Sequence, residues 1–394
     1  MSPAVAAPAG TGRTSTGRLV GIDVARAVAL VGMIATHVLD GRTATGELTF
    51  TQELAGGRAS ALFAVLAGVS LALVSGGAEP RRGRDLRRTA AGLAARAVLV
   101  AAVGLLLGEL ETGLAIILAY YGVLFLLGLP FLGLRAPALA GLAAAWLVVG
   151  PVLSHVVRPE LPARDFSSPD LARLSEPGPL LADLLLTGYY PALPWLAYLL
   201  AGMALGRVDL RGRRVPARLV AGGLCLAVLA ISISRLCTAS PGVRAALLPS
   251  RLTTHDELLA VLAGSQHGST PTGGAWQWLL VVSPHSATPF DLAQTIGSAL
   301  VVLGLCLALA AALPPARRRV LAVVGGAGTV PLTLYSLHVL MRTPDVWPEE
   351  EPDTFGTHVA VVLAVGAVFA LARRRGPLEW LVGWPGRRLT RRGA

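Results

Sequence analysis

No lysine occurs among the 394 residues, and only three are cysteine. Every permanent side-chain cation is therefore an arginine. Cys225, Cys237 and Cys306 sit far apart in apolar stretches, which excludes a clustered metal or redox site and leaves them as helix-packing residues. Charge is scarce as well: 14% of residues are charged, against about 25% in ordinary soluble domains, so a soluble globular chain is excluded. Two signatures are also missing. The lack of H-E-x-x-H argues against a zincin-type intramembrane protease, and the lack of a Walker-A sequence against a P-loop nucleotide site. The GGAG before Thr329 reads instead as a place of close helix packing. No metal site is expected.

Hydrophobic residues make up 54% of the chain, and the mean hydropathy is +0.63. This is the composition of an all-α, polytopic helical bundle in a membrane. A formal charge of +11 would point to nucleic acid in a soluble protein. Here the arginines fall between apolar segments and act as topology signals, so no nucleic-acid partner is expected. Apolar windows predict about ten transmembrane helices, near 19–39, 59–76, 93–111, 114–134, 136–157, 190–206, 218–238, 291–313, 320–341 and 356–372. With N- and C-termini cytoplasmic, Arg81, Arg82, Arg84, Arg87 and Arg88 share one side with Arg207, Arg211, Arg213 and Arg214. Arg317, Arg318, Arg319 and the C-terminal arginines join them, and the opposite side holds far fewer.

The expected organisation is a disordered cytoplasmic tail at 1–17, a transmembrane domain at 18–372 and a basic cytoplasmic tail at 373–394, in a multi-pass protein of the plasma membrane. The first apolar segment is too long and too polar for a signal-peptide core and is expected to be retained. Two long external connections run over 158–189 and 239–290. The second contains His255, His267 and His285, with a short apolar run around Trp276 that reads as re-entrant or interfacial.

One stretch stands out. Residues 18–40, RLVGIDVARAVALVGMIATHVLD, are apolar enough to span a bilayer yet carry Asp23, Arg26 and His37. At about 100° per residue, Arg26 and His37 fall within roughly 20° of each other around the helix, and Asp23 within about 40° of His37. Polar groups on one face of a spanning helix point to a bundle interior or a wet cavity. The plainer reading is that Asp23 and Arg26, at i,i+3, neutralise each other at the membrane boundary. The ninth window runs outward like the first, so Tyr335, His338 and Arg342 share a face at a depth similar to His37. The two imidazoles are therefore candidates to line one external pocket. Glu109, Glu111, Tyr120, Tyr121, Tyr189, Tyr190 and Trp195 are candidates for its rim, although Tyr and Trp populate membrane interfaces in any case. The SPHSATPFD segment at 283–291 either closes that pocket or caps the eighth helix. RRGRDLRR reads first as a cytoplasmic anchor, and also as an attractor for cofactor phosphates or an anionic lipid head group.

The opening block resembles the first helix of the heparan-α-glucosaminide N-acetyltransferase catalytic domain and its bacterial relatives. The pattern R-x-x-x-I/V-D-x-x-R-G-x-A-x-x-x-M is met by Arg18, Ile22, Asp23, Arg26, Ala29 and Met33, with Ala27 in place of the glycine. GRASALFAVLAGVSLAL at 57–73, YYPALPWLAYLLAGMALGR and LTLYSLHVL resemble later blocks of the group. The resemblance implies a membrane acyltransferase that moves an acetyl group from cytoplasmic acetyl-CoA to an extracytoplasmic acceptor such as an amino sugar or envelope glycan. The animal enzyme has its reactive histidine in the external loop after the first helix. Here residues 38–58 contain none, and His37 is the nearest substitute.

In that reading Arg26 and Arg18, with Asp23 orienting Arg26, meet the anionic part of the donor. His37 acts as general base or transient acyl carrier, and His338 and Tyr335 position the acceptor or stabilise the oxyanion. Expected partners are acyl-CoA, the acceptor and membrane lipid, with self-association left open. A transporter or permease with a polar intramembrane path is the alternative, and a membrane scaffold the plainest reading.

Overall fold

An apolar segment in hydrocarbon can satisfy its backbone only by closing hydrogen bonds within itself, which makes it a helix. The computed structural model describes residues 19–110, 112–164, 166–248, 255–344, 346–347 and 354–391. Among the described residues there are helices and no strands, apart from one isolated bridge between Arg42 and Leu48. The principal helices, in chain order, are α1 (Val20–Val38), α2 (Arg58–Val74), α3 (Gly83–Gly108), α4 (Leu118–Gly128) and α5 (Ala136–Val157). They continue as α6 (Ala192–Gly206), α7 (Val215–Thr238), α8 (Pro289–Ala312), α9 (Pro331–Leu340), α10 (Phe355–Ala372) and α11 (Pro377–Arg391).

Among the described residues seven helices are long and apolar enough to cross a membrane, or up to nine if each of two bent pairs is one span. The pairs are Pro177–Thr187 with α6, bent by 51°, and Pro315–Thr329 with α9, bent by 63°. Both breaks carry a proline, Pro191 and Pro331, whose missing N–H interrupts the helical ladder. The expectation of about ten spans included Leu118–Phe131, which is apolar but short; at 1.5 Å per residue it reaches only about 21 Å. Within the segment expected as a basic tail, Pro377–Arg391 forms helix α11, which packs against α3 and α9. The 1–17 segment and Arg18 lie outside the described residues.

α1 runs through the middle, against α2, α8, α9 and α10. Its tightest neighbour is the 3-10 segment Gly325–Thr329, where any side chain at Gly328 would collide with the carbonyl of Asp23. GGAG is thus a seam of backbone against backbone. α2 and α6 approach in the same way where Gly202 faces the Val65 carbonyl. Outside the bundle, the connection before α8 has a small core of its own, Leu247, Leu258, Trp278 and Val281. Arg158, buried at the end of α5, donates to the Thr270 carbonyl at 2.6 Å, to the Thr270 hydroxyl at 3.0 Å and to Thr272 at 3.1 Å, and so ties that connection to the bundle.

Arg207, just past α6, does the same at the other end. It donates to the carbonyls of Ala72, Gly77, Leu132 and Leu134 and to the hydroxyl of Ser75, at 2.5–3.1 Å. The Gly77, Leu132 and Leu134 carbonyls lie beyond helix ends, where no helical N–H reaches them. Arg207→Leu strands them, at a cost of about 3 kcal/mol or more. The expected result is a melting temperature several degrees lower in detergent, with Arg213→Leu, on the exposed surface, as an unshifted control.

Candidate functional site

The polar face of α1 divides into two ends. Near its start the Arg26 guanidinium donates from Nη1 to Asp23 Oδ1 at 3.0 Å and from Nη2 to Ser70 Oγ of α2 at 2.7 Å. Arg26 lines a cavity of about 300 Å³ together with Phe63, Ser70, Arg96, Phe125 and Glu379. A second cavity of about 300 Å³ shares Val74, Leu93 and Arg96 with it and is lined by Arg81, Arg88, Arg375 and Arg387. The acid in this region is engaged: Glu379 accepts from the backbone N–H groups of Leu332 at 2.7 Å and Thr333 at 3.1 Å, and from Thr333 Oγ1 at 2.5 Å. A carboxylate at the positive end of α9 is electrostatically favourable.

Eleven residues on, roughly 16 Å along the helix, His37 stands half-buried at the other end. Its Nδ1 lies 3.1 Å from His338 Nε2 of α9, with the two rings stacked at 5.3 Å and 9°. His338 Nδ1 in turn lies 3.0 Å from His358 Nδ1 in the first turn of α10. His338 and His358 are fully buried. Two lobes of a cleft, about 500 and 640 Å³, meet at Thr36, His37, Tyr189, Tyr190 and His267. The first adds Gln52, Ser60, Gln266 and His285; the second adds Thr112, Arg164 and Ser168. Tyr189 contacts Tyr190, His267 and His285 with ring centroids 4.7, 5.4 and 5.0 Å apart, and the Arg164 guanidinium lies over Phe166 at 4.6 Å. Aromatic faces among amides and hydroxyls suit a sugar or another polyhydroxylated molecule.

His267, His285 and Ala287 hold φ near +50°, an unfavourable region for residues with a Cβ. Three such residues in one loop bordering one cleft mark a locally strained site. The strain is held by Gln266 N–H to the Pro284 carbonyl at 2.8 Å, Gly268 N–H to the His285 carbonyl at 2.7 Å, and Ala287 N–H to Asp291 Oδ2 at 3.0 Å. Thr288 Oγ1 accepts from Asp291 N–H at 3.1 Å, so the 283–291 segment both caps α8 and lends His285 to the cleft.

The structure thus brings His37 and His338 together, and Asp23 with Arg26; Arg18 is outside the described residues. Tyr335 is buried, and its hydroxyl accepts from Ile117 N–H at 3.3 Å rather than lining either lobe. Of the proposed rim, Tyr189 and Tyr190 reach the cleft, while Tyr120, Tyr121 and Trp195 are core residues. Glu109 instead accepts from Leu171 N–H at 2.8 Å, and Glu111 lies outside the described residues. Sequence reasoning missed His358, although the depth matching that pairs His37 with His338 also puts the start of the last span at that level.

These features define a polytopic membrane protein with an arginine-lined cavity at one end of α1 and a histidine-lined cleft at the other. Residues 18–234 match the family described as heparan-alpha-glucosaminide N-acetyltransferase, catalytic, and the chain belongs to that family. The match contains Asp23, Arg26 and His37 and ends before His338 and His358. No curated protein matches the chain.

Burial, and then the charges His285 would face at His267, His37 and Arg164, push its imidazole down to about 3. Burial and Arg164 lower His267 as well. An unfolded histidine titrates near 6.5, so below that pH the opened loop binds protons that the closed loop refuses, and closure weakens as pH falls from about 6.5 towards 3. His285 alone contributes up to about 1.4 kcal/mol per pH unit. Hydrogen exchange over residues 264–288, corrected for intrinsic rates, is expected to lose protection between pH 7.5 and 4.5, and to lose less in His285→Leu. A flat profile in the wild type would contradict it.

Proposed function

We propose that this protein is a multi-pass acyltransferase of the plasma membrane that takes an acetyl group from cytoplasmic acetyl-CoA and delivers it to an extracytoplasmic amino sugar or envelope glycan. The observation that carries the reading is the pairing of an arginine-lined cavity with a histidine-lined cleft along one face of α1. CoA is rich in phosphates, and guanidinium forks hold phosphates bidentately without being deprotonated. Arg81, Arg88, Arg96, Arg375 and Arg387 supply such a set, and Arg26, braced by Asp23 and Ser70, stands deeper beside it. The segregation of arginine between the loops supports a cytoplasmic position for that end. The separation of roughly 16 Å between Arg26 and His37 suits the long pantetheine arm, which carries the thioester away from the phosphates.

At the far end His37 Nε2 takes the proton from the acceptor hydroxyl or amine as its oxygen or nitrogen attacks the thioester carbonyl. The carbon–sulfur bond then breaks, and the imidazolium returns that proton to the departing thiolate. His338 holds the His37 ring through Nδ1. Tyr335, bonded to the backbone before α4, fixes the wall behind them rather than touching the acceptor.

Calorimetry on detergent-purified protein tests both halves. Acetyl-CoA is expected to bind saturably, with affinity about tenfold lower (roughly 1.4 kcal/mol) in Arg88→Ala/Arg387→Ala. His37→Ala is expected to bind normally while acetyl transfer to glucosamine oligosaccharides falls about 10²–10⁴-fold. Absence of acetyl-CoA binding in the wild type would overturn the reading.

A further inference from the structure

The three-histidine chain constrains its own protonation. A neutral imidazole carries one N–H and one lone pair, on different nitrogens. Facing nitrogens form a hydrogen bond only when one donates and the other accepts. His37 meets His338 through Nδ1 and Nε2 at 3.1 Å, and His338 meets His358 through the two Nδ1 atoms at 3.0 Å. With all three rings neutral, just two arrangements satisfy both contacts. In the first, His37 Nδ1–H donates to His338 Nε2, and His338 Nδ1–H donates to His358 Nδ1. His37 Nε2 is then left with a lone pair. In the second every bond is reversed, and His37 Nε2 carries hydrogen instead. The tautomer of the first ring is therefore fixed by the third.

From this wiring we infer that His358 is a positioning residue for acyl transfer: by accepting at Nδ1 it sets the tautomer of His338, and through it turns His37 Nε2 into a base facing the cleft. His358 lines neither lobe, so it acts through the other two rings. It lies on α10, beyond the stretch that matches the family. Its burial beside His338 supports the coupling, since neither ring meets solvent that could substitute for the other. A wrong tautomer on a histidine base is costly even when the ring is well placed. The role of His37 as base rests on the proposed function; the coupling of the three tautomers rests on the two contacts alone.

The experiment separates these. Full-length protein labelled with ¹⁵N-histidine is compared as wild type, His358→Phe and His358→Asn, with the His37 signals assigned by their loss in His37→Gln. ¹⁵N shifts distinguish a protonated ring nitrogen from one bearing a lone pair. The wild type is expected to show His37 protonated at Nδ1 and unprotonated at Nε2. His358→Phe is expected to shift His37 towards the Nε2–H form, and His358→Asn, whose amide oxygen accepts in place of Nδ1, to restore the wild-type pattern. With acetyl-CoA and glucosamine oligosaccharides as probes, kcat is expected to fall about tenfold or more in His358→Phe, with KM for acetyl-CoA unchanged, and to recover in His358→Asn. A His37 tautomer identical in wild type and His358→Phe would overturn the inference, whatever happened to the rate. A wild type with no acetyl transfer would overturn the proposed function instead, while the NMR comparison would still decide whether His358 controls His37.

Discussion

An ionised or strongly polar side chain in hydrocarbon must be met by protein, because lipid offers it nothing. α1 carries a carboxylate, a guanidinium and an imidazole on one face, and the bundle is arranged to answer all three. Ser70 of α2 meets the guanidinium, and His338 of α9 meets the imidazole. The Gly325–Thr329 segment brings backbone directly against the turn that holds Asp23. A helix with these demands cannot lie at the periphery. Its central position, and the wrapping of α2, α8, α9 and α10 around it, follow from satisfying that one face.

The cavities at the two ends of α1 are chemically unlike but approach each other. On α2, Ser60 borders the histidine cleft and Phe63 borders the arginine-lined cavity, about 4.5 Å apart along the helix axis. The partition between them is made of side chains. Phe63 meets Tyr121 edge-on at 5.7 Å, and the Tyr121 hydroxyl donates to the Ser60 carbonyl at 3.1 Å. On the opposite wall Gly328 lies directly against the Asp23 carbonyl, with the Arg26 side chain beside it. One flank of the partition is therefore backbone packed on backbone, and the other is made of aromatic side chains.

Much of this was legible in the residues. Apolar windows found the long helices, and the periodicity of 18–40 placed Asp23, Arg26 and His37 on one face. Depth bookkeeping paired His37 with His338, which are 301 positions apart in the chain. The failures have physical causes. An aromatic side chain near the end of a span looks the same in sequence whether it faces lipid, cleft or core, so Tyr120, Tyr121 and Trp195 were misjudged as rim while Tyr189 and Tyr190 were not. In the sequence the C-terminal segment is marked chiefly by its arginines, although the Trp and Leu residues of α11 recur at helical spacing. His358 sits alone in the first turn of an otherwise apolar helix; its partner is on another helix, and no local pattern announces it. Arg375 and Arg387 were counted as topology signals, yet they close a cavity that only the packing of α11 against α3 creates.

The cations around that cavity are guanidinium groups, in a chain without a single lysine. Arginine stays protonated and is a poor nucleophile, whereas a lysine amine is the usual target of acetylation. Under the proposed function, the phosphates of the donor meet strong positive charge here, and its thioester passes no lysine amine able to intercept the acyl group. In that reading the arginine-rich end can bind an acylating agent without offering it a lysine to modify.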